Sequence, residues 1–357
     1  MTDKLHRSNL EMPNLDLLRS VAVIGVIGGH LLIALQKETI GGIPFSGMAS
    51  FGVYMFFVHT SLVLMWSLQR RPNTLDFYIR RAFRLYPLAI LATVFVALTR
   101  IPVARLENGI FSGVPFTLRN VVISFSLVHP VMGTGEFILG TLWTLTPEMF
   151  MYMLLPCLFF YARSVRKLWP LLVLWFVVVA LARQSFPPAD VSSFGVLAPD
   201  FLAGVIAYVG FLKRRAWMSG WFFALFLFTL LAFYLTVYTP RIRNPWVVCL
   251  AMGLLLPSFQ QISSKAFNAV THTIAKYSYG IYLFHVIALY FAFGKMQHGS
   301  LGVRLAVALV PLALSVAAAY HLIEKPMIQL GARVAAKIAG EHGLPSERSL
   351  ETLEPAP

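Results

Sequence analysis

Arg19 and His30 place a permanent cation and an imidazole within one long apolar run. Their separation of eleven residues makes about three helical turns and a rise of about 16 Å, so in a helix they lie within about 20° of the same face. A guanidinium can bind the phosphates of a cofactor, and an imidazole can act as a general base. The alternatives are structural: Arg19 can extend to lipid headgroups, and His30 can hydrogen-bond a neighbouring helix.

Two carboxylates accompany this pair. Asp16 lies three residues before Arg19 and could orient its guanidinium. Glu148 lies in an apolar run with no Lys or Arg near it in sequence, so it requires either a partner from another helix or a neutral form. Pro147 would free backbone groups in the middle of that helix, as in a locally irregular site. We assign Glu148 to catalysis with His30; an interhelical hydrogen bond is the alternative.

Further polar and aromatic side chains lie in other apolar runs. Tyr282 and His285 are three residues apart and share a helix face. For each histidine, a structural hydrogen bond is the alternative to a functional role. We predict that a substrate pocket includes Asp16, His59, Trp143, Tyr282 and His285.

A basic segment runs from Phe77 to Pro87. Arg80 and Arg84 are four residues apart and share a helix face. Such a group suits lipid headgroups, and it equally suits the phosphates of a cytoplasmic cofactor. We therefore assign the cofactor phosphates to Arg19, Arg80, Arg81 and Arg84, and we expect no metal site.

The elements that carry these residues are membrane helices. The chain has 357 residues, of which 58% are hydrophobic and only 12% charged, whereas soluble domains carry about a quarter charged residues. Its mean hydropathy is +0.72. The apolar runs approach the roughly 20 residues needed to cross a bilayer, and they predict an all-α, polytopic transmembrane bundle of about ten spans. We place the spans at 15–35, 47–68, 84–99, 138–161, 167–184, 194–212, 217–238, 245–260, 274–294 and 301–323.

The positive residues indicate how the bundle is oriented. The formal net charge is +14, and Lys and Arg concentrate in alternate connections between apolar runs, which is the pattern of cytoplasmic loops rather than of nucleic-acid binding. Both termini are therefore predicted to be cytoplasmic. We divide the chain into a membrane domain over 1–330 and a polar tail over 331–357 that is disordered at its end.

Six motifs, in order along nearly the whole chain, resemble the membrane-bound acyltransferase family 3. The first helix of that family reads Leu-Asp-x-Leu-Arg, then ten residues, then His, and this chain has Leu15 to Arg19 followed by His30. The other five matches are Gly52 to Val58, Arg80 to Pro87, Trp143 to Glu148, Tyr277 to His285 and Tyr320 to Pro326. The chain departs from the pattern at Tyr54, at Met149 and at His59 to Ser61.

The resemblance implies an enzyme that transfers acyl groups other than aminoacyl groups. The expected donor is acetyl-CoA, or another acyl-CoA, on the cytoplasmic side. The expected acceptor is a hydroxyl of an extracytoplasmic or membrane-associated carbohydrate, glycolipid or small metabolite. The resemblance also implies a multi-pass protein of a bacterial inner membrane, in contact with membrane lipids.

A transporter or flippase for a glycolipid or small molecule is the alternative of a different class. Intramembrane His and Glu side chains also suit proton relays and substrate paths. However, the sequence has no paired Gly- or Pro-broken segments in two repeated halves, which are typical of carriers built from repeats. The acyltransferase interpretation is therefore favoured.

Overall fold

The computed structural model describes residues 12–127, 136–165, 167–185, 194–238, 246–296 and 298–338, most of which are helical. A small antiparallel hairpin of β1 (Arg105–Glu107) and β2 (Ile110–Ser112) follows the third helix. The helices are α1 (Pro13–Ala34), α2 (Met48–Arg70), α3 (Thr74–Thr99), α4 (Leu118–Ser126), α5 (Leu145–Val165), α6 (Trp169–Ser185), α7 (Phe194–Lys213), α8 (Gly220–Phe233), α9 (Trp246–Leu255), α10 (Lys265–Leu289), α11 (Leu301–Ala319) and α12 (Lys325–Ile338).

Short 3-10 and π turns extend several of these helices. The 3-10 turns are Phe45–Gly47, Gly140–Thr144 and Leu256–Ser258. The π turns are Tyr234–Tyr238, Tyr290–Lys295 and Tyr320–Glu324. Because most of these turns continue a helix without a break, they lengthen the apolar runs that can cross a membrane.

The helical runs confirm a multi-pass, all-α membrane bundle. Within the described ranges, eight runs are long and apolar enough to cross a membrane, and two shorter apolar helices cover Trp169–Gln184 and Trp246–Ser258. Together these correspond to the ten spans that the sequence predicts. The boundaries differ most at the third and the last span, for separate physical reasons.

The third helix begins at Thr74, ten residues before the predicted span at 84–99. The Asn73 side chain caps it by accepting hydrogen bonds from the backbone N–H groups of Leu75 and Asp76. The basic segment is therefore part of α3 rather than a connection before it.

The last apolar run continues beyond its predicted end at 323. Through the π turn Tyr320–Glu324 it joins α12, so that helical structure runs from Leu301 to Ile338. Its 38 residues span about 57 Å, much more than a hydrocarbon core of about 30 Å. The first residues of the predicted polar tail, 331–338, thus belong to a helix; the remainder, 339–357, lies outside the described residues.

Helix α1 lies between α2 and α10, its most extensive neighbours. Helix α2 also packs on α7, which in turn contacts α5, α6 and α9. Helix α3 packs on α12, and α10 packs on α11. The residues of interest on α1 therefore face helices from both halves of the chain.

Glycines bring α1 and α2 into close contact. A Cβ atom at Gly29 would lie 2.5 Å from the backbone N of Ala49 and 2.7 Å from the carbonyl O of Ser46. A Cβ atom at Gly52 would collide with the carbonyl O of Ala22. Small residues of this kind allow membrane helices to pack backbone against backbone. The contact at Gly29 fixes the position of the adjacent His30.

We expect Gly29→Ala to destabilise the protein by about 1–3 kcal/mol, because a methyl group there must push the α2 backbone away. Thermal unfolding in detergent micelles, followed by intrinsic fluorescence, measures the change. Gly28→Ala is the matched control, since its added Cβ meets only the flexible Met48 Cε, at 3.3 Å. Equal unfolding temperatures for the two variants would show that the close contact is not required.

Candidate functional site

A cavity lined by three arginines lies among α1, α2, α3, α5 and α10, and we call it the arginine cavity. Its volume is about 800 Å³, including the space at its mouth. Its polar lining includes Arg19, Arg81, Arg84, Glu148, Tyr152 and Tyr279. His59, which is almost fully buried on α2, also lines it.

The guanidinium groups in this cavity have unused hydrogen-bonding capacity. Arg19 Nε and Arg81 Nε are buried, and neither has a hydrogen-bond partner in the part of the chain that the structure describes. Buried N–H groups are almost always hydrogen-bonded in folded proteins. Two such donors in one cavity indicate a ligand with acceptor oxygens, and an anionic group such as phosphate fits best.

Glu148 belongs to this cavity. It accepts a hydrogen bond from the hydroxyl of Tyr152, one helical turn later, and it interacts electrostatically with Arg84, Arg19 and Arg81. The carboxylate therefore lies near the guanidinium groups and partly balances their positive charge. Within the described residues, no contact joins Glu148 to His30.

The helix position of Glu148 also differs from the sequence interpretation. Glu148 lies in the first turn of α5, directly after the 3-10 turn Gly140–Thr144. Pro147 lies in the same first turn, where a missing backbone N–H removes no intrahelical hydrogen bond. The backbone is irregular here because a 3-10 turn changes directly into an α-helix. The expectation that Pro147 breaks the middle of a helix is therefore wrong: Pro147 lies at the start of α5.

The four arginines assigned to a cofactor are divided by the structure. Arg81 and Arg84, three residues apart on α3, line the arginine cavity together with Arg19. Arg80 does not line it; its Nε donates to both carboxylate oxygens of Asp76, at 3.0 and 2.8 Å. Arg80 therefore serves an intrahelical ion pair rather than the cavity.

Asp16 lies near the arginine cavity without lining it. Its Oδ2 is 3.1 Å from Nδ1 of His272 on α10, and it interacts electrostatically with Arg19. Asp16 thus connects α1 with α10, and it lines neither the arginine cavity nor the cavity that contains most of the other predicted pocket residues.

A second cavity, which we call the histidine cavity, lies beside the β-hairpin and has a volume of about 1180 Å³, including open space. Its lining includes His30 of α1, His285 of α10 and Trp143 of the 3-10 turn Gly140–Thr144. Nε2 of His285 is 3.3 Å from Nδ1 of His30. Of the predicted pocket residues, this cavity brings together Trp143, Tyr282 and His285 with His30.

Val53 and Tyr282 line both cavities and form the wall between them. The hydroxyl of Tyr282 donates to the carbonyl of Thr141, at 3.0 Å, and lies 2.7 Å from Oγ1 of Thr144. These bonds fix the tyrosine to the 3-10 turn before α5. One of the two side chains that both cavities share is therefore held in place by hydrogen bonds.

Some site residues were missed by sequence reasoning. Tyr152 follows Glu148 by four residues, so the shared helix face was a usable signal. Glu324, buried on the last π turn, interacts electrostatically with Arg19 and Tyr279. The sequence signal for Glu324 was the presence of a carboxylate at the end of the last apolar run.

The spans and the buried polar cavities define a multi-pass membrane protein with an internal polar site. The chain matches the family model described as an acyltransferase domain over residues 12–321. It belongs to the acyltransferase family 3 and is a membrane acyltransferase. Neither the curated proteins nor the solved structures give a match to this chain.

We expect the two cavities to open on opposite sides of the membrane, because the predicted orientation puts the start of α1 inside and His30 nearer the outside. Thr60 lines the arginine cavity and Ser50 the histidine cavity. In a chain with Cys157 and Cys249 replaced by Ala, a membrane-impermeant thiol reagent should label Ser50→Cys in intact cells and Thr60→Cys only in inverted vesicles. Labelling of both from one side would contradict this arrangement.

Proposed function

We propose that this membrane acyltransferase moves an acyl group, normally acetyl, from cytoplasmic acyl-CoA to a hydroxyl of an acceptor. The acceptor is an extracytoplasmic or membrane-associated carbohydrate, glycolipid or small metabolite. The proposal rests on one observation: an arginine cavity with unpaired guanidinium N–H groups adjoins a histidine cavity across a single wall.

The arginine cavity would bind the donor. Arg19, Arg81 and Arg84 present planar, permanently charged donors, which suit the phosphate oxygens of CoA. Glu148 and Tyr152 would hold these guanidinium groups in place before the donor arrives. In this proposal Glu148 acts at the donor site. It stabilises the arginines instead of orienting the His30 imidazole.

The thioester would reach His30 past Tyr282. Val53 and Tyr282, which line both cavities, stand between the arginine cavity and the imidazole. Rotation of the tyrosine side chain, with loss of its bonds to Thr141 and Thr144, would let the acyl end of the donor pass. The phosphates would meanwhile stay among the arginines.

The acceptor would enter the histidine cavity. The indole of Trp143 offers an apolar face, and Ser50 and Thr141 in the same lining offer hydroxyl groups. A surface that mixes an aromatic face with hydroxyl groups suits a polyhydroxylated acceptor. His30 lines this cavity, where it would deprotonate the acceptor hydroxyl.

The reaction would be an acyl transfer with His30 as general base. Its imidazole takes the proton of the acceptor hydroxyl while the oxygen attacks the thioester carbonyl. The carbon–sulfur bond then breaks, and the imidazolium returns the proton to the CoA thiolate. Because donor and acceptor have separate cavities, both can be bound at once, which favours direct transfer over an acyl-His30 intermediate.

Replacement of His30 by Ala should reduce acyl transfer by about 10²-fold or more, because general base catalysis contributes that much. Purified protein is incubated with radiolabelled acetyl-CoA and candidate acceptors, and surface glycans of cells with either form are compared by mass spectrometry. Wild type should add the mass of one acetyl group, and His30→Ala should not, at equal membrane levels. Transfer at the wild-type rate by His30→Ala would refute the assignment.

Arg81→Gln should raise the KM for acetyl-CoA by about tenfold or more, because a charge-assisted hydrogen bond contributes about 1.5–3 kcal/mol. Initial rates at saturating acceptor provide the measurement. Arg80→Gln is the matched control: it removes an adjacent arginine of the same helix that pairs with Asp76 and lies outside the cavity. Equal KM changes in the two variants would show that the cavity does not bind the donor phosphates.

A further inference from the structure

The structure assigns to His285 a role that rests on the proposed function. We propose that His285 is a positioning residue: it accepts a hydrogen bond from Nδ1 of His30, which that nitrogen shares with the Val26 carbonyl, and so holds the His30 ring in the orientation in which Nε2 acts as the base. Two backbone carbonyl oxygens in this region, those of Val26 and Tyr282, can only accept hydrogen bonds, and they determine which ring nitrogens carry hydrogens.

A backbone carbonyl fixes the tautomer of His285. It is 0% exposed, and its Nδ1 lies 2.6 Å from the carbonyl oxygen of Tyr282 in the preceding turn of α10. A carbonyl oxygen can only accept, so Nδ1 of His285 carries the hydrogen. In the neutral ring, Nε2 of His285 then presents its lone pair.

A backbone carbonyl also fixes the tautomer of His30. Its Nδ1 lies 2.8 Å from the carbonyl oxygen of Val26, one turn earlier on α1. By the same reasoning, Nδ1 of His30 carries a hydrogen. That nitrogen is also 3.3 Å from Nε2 of His285, whose lone pair shares the hydrogen with the Val26 carbonyl.

The two histidine rings therefore form a chain of hydrogen bonds that runs in one direction. His30 donates from Nδ1 to Nε2 of His285, and His285 donates from Nδ1 to the Tyr282 carbonyl. The rings lie 4.9 Å apart at an interplanar angle of 58°, so they meet as hydrogen-bonding partners and are not stacked. His30 consequently holds the tautomer in which Nε2 has the lone pair.

This arrangement serves the proposed reaction. When Nε2 of His30 takes the acceptor proton, the ring becomes an imidazolium and its Nδ1–H bond to His285 becomes charge-assisted and stronger. No proton leaves for His285; the second ring orients the first and stabilises its charge. In other proteins, too, a hydrogen bond to one ring nitrogen of a histidine orients the ring and tunes the nitrogen that acts on a substrate or metal.

The position of His285 connects the His30 ring to the wall between the two cavities. His285 follows Tyr282 by three residues, and the hydroxyl of Tyr282 is bonded to Thr141. The carbonyl that fixes the His285 ring therefore belongs to a residue that is itself fixed to the 3-10 turn before α5. The orientation of His30 thus depends on α10 and on the wall between the cavities.

The test compares two variants in the full-length protein in lipid nanodiscs. His285→Phe keeps a ring but has no acceptor atom, and we expect kcat to fall by about 100-fold with KM for acetyl-CoA within about threefold. His285→Gln offers a carbonyl oxygen to Nδ1 of His30 and should recover at least about tenfold of that loss. His298→Gln, an exposed histidine outside both cavities, is the control and should behave as wild type.

A second measurement is independent of turnover. In ¹⁵N-histidine-labelled protein, the imidazole signals of His30, assigned by their loss in His30→Asn, should show a protonated Nδ1 and an unprotonated Nε2. In His285→Phe the Val26 carbonyl still accepts from Nδ1, so the tautomer should persist, while loss of the second acceptor should shift the Nδ1 signal. An unprotonated Nδ1 in the wild type, an unchanged Nδ1 signal in His285→Phe, or equal loss of kcat in His285→Phe and His285→Gln would overturn the proposal. A wild-type protein with the expected tautomer but no acyl transfer would instead refute the proposed function.

Discussion

The packing of α1 between α2 and α10 determines where the chemistry of this protein can take place. A guanidinium and an imidazole on one membrane helix are both costly to bury, and each needs polar partners from elsewhere. Gly29 lets α2 approach on one side, and α10 supplies His285 on the other. Arg19 and His30 consequently share a helix but line different cavities, so one element connects two chemical environments.

The sequence alone predicted the membrane class and the approximate positions of the apolar helices. Long apolar runs are a strong signal because a bilayer core imposes a minimum length on each span. The spacing along one helix predicted that Tyr282 and His285 share a face, and in the structure both line the histidine cavity. These predictions succeed because each depends on a single helix or on the thickness of the membrane.

The contacts between helices could not be obtained in this way. Adjacent residues on a helix differ by about 100° in direction, so without the position of α12 nothing decides whether Arg80 or Arg81 faces a cavity. In the structure Arg80 pairs with Asp76, and Arg81 lines the cavity. Glu148 shows the same limit: its arginine partners come from α1 and α3, and only the assembled bundle distinguishes them from the imidazole.

The packing of α12 on α3 also concerns how the protein is made. Gly331 lies against the side chain of Phe83, which falls between Arg81 and Arg84 in the sequence of α3, and the Ala332 carbonyl lies 3.5 Å from a terminal nitrogen of Arg80. The helix that carries the arginines is therefore supported by residues near the end of the described chain. A nascent protein inserts its spans in order, so this support arrives only after all the earlier spans have been made. The arginine cavity cannot reach its final shape before α12 has been synthesised, and a membrane-inserted intermediate without α12 lacks a complete site.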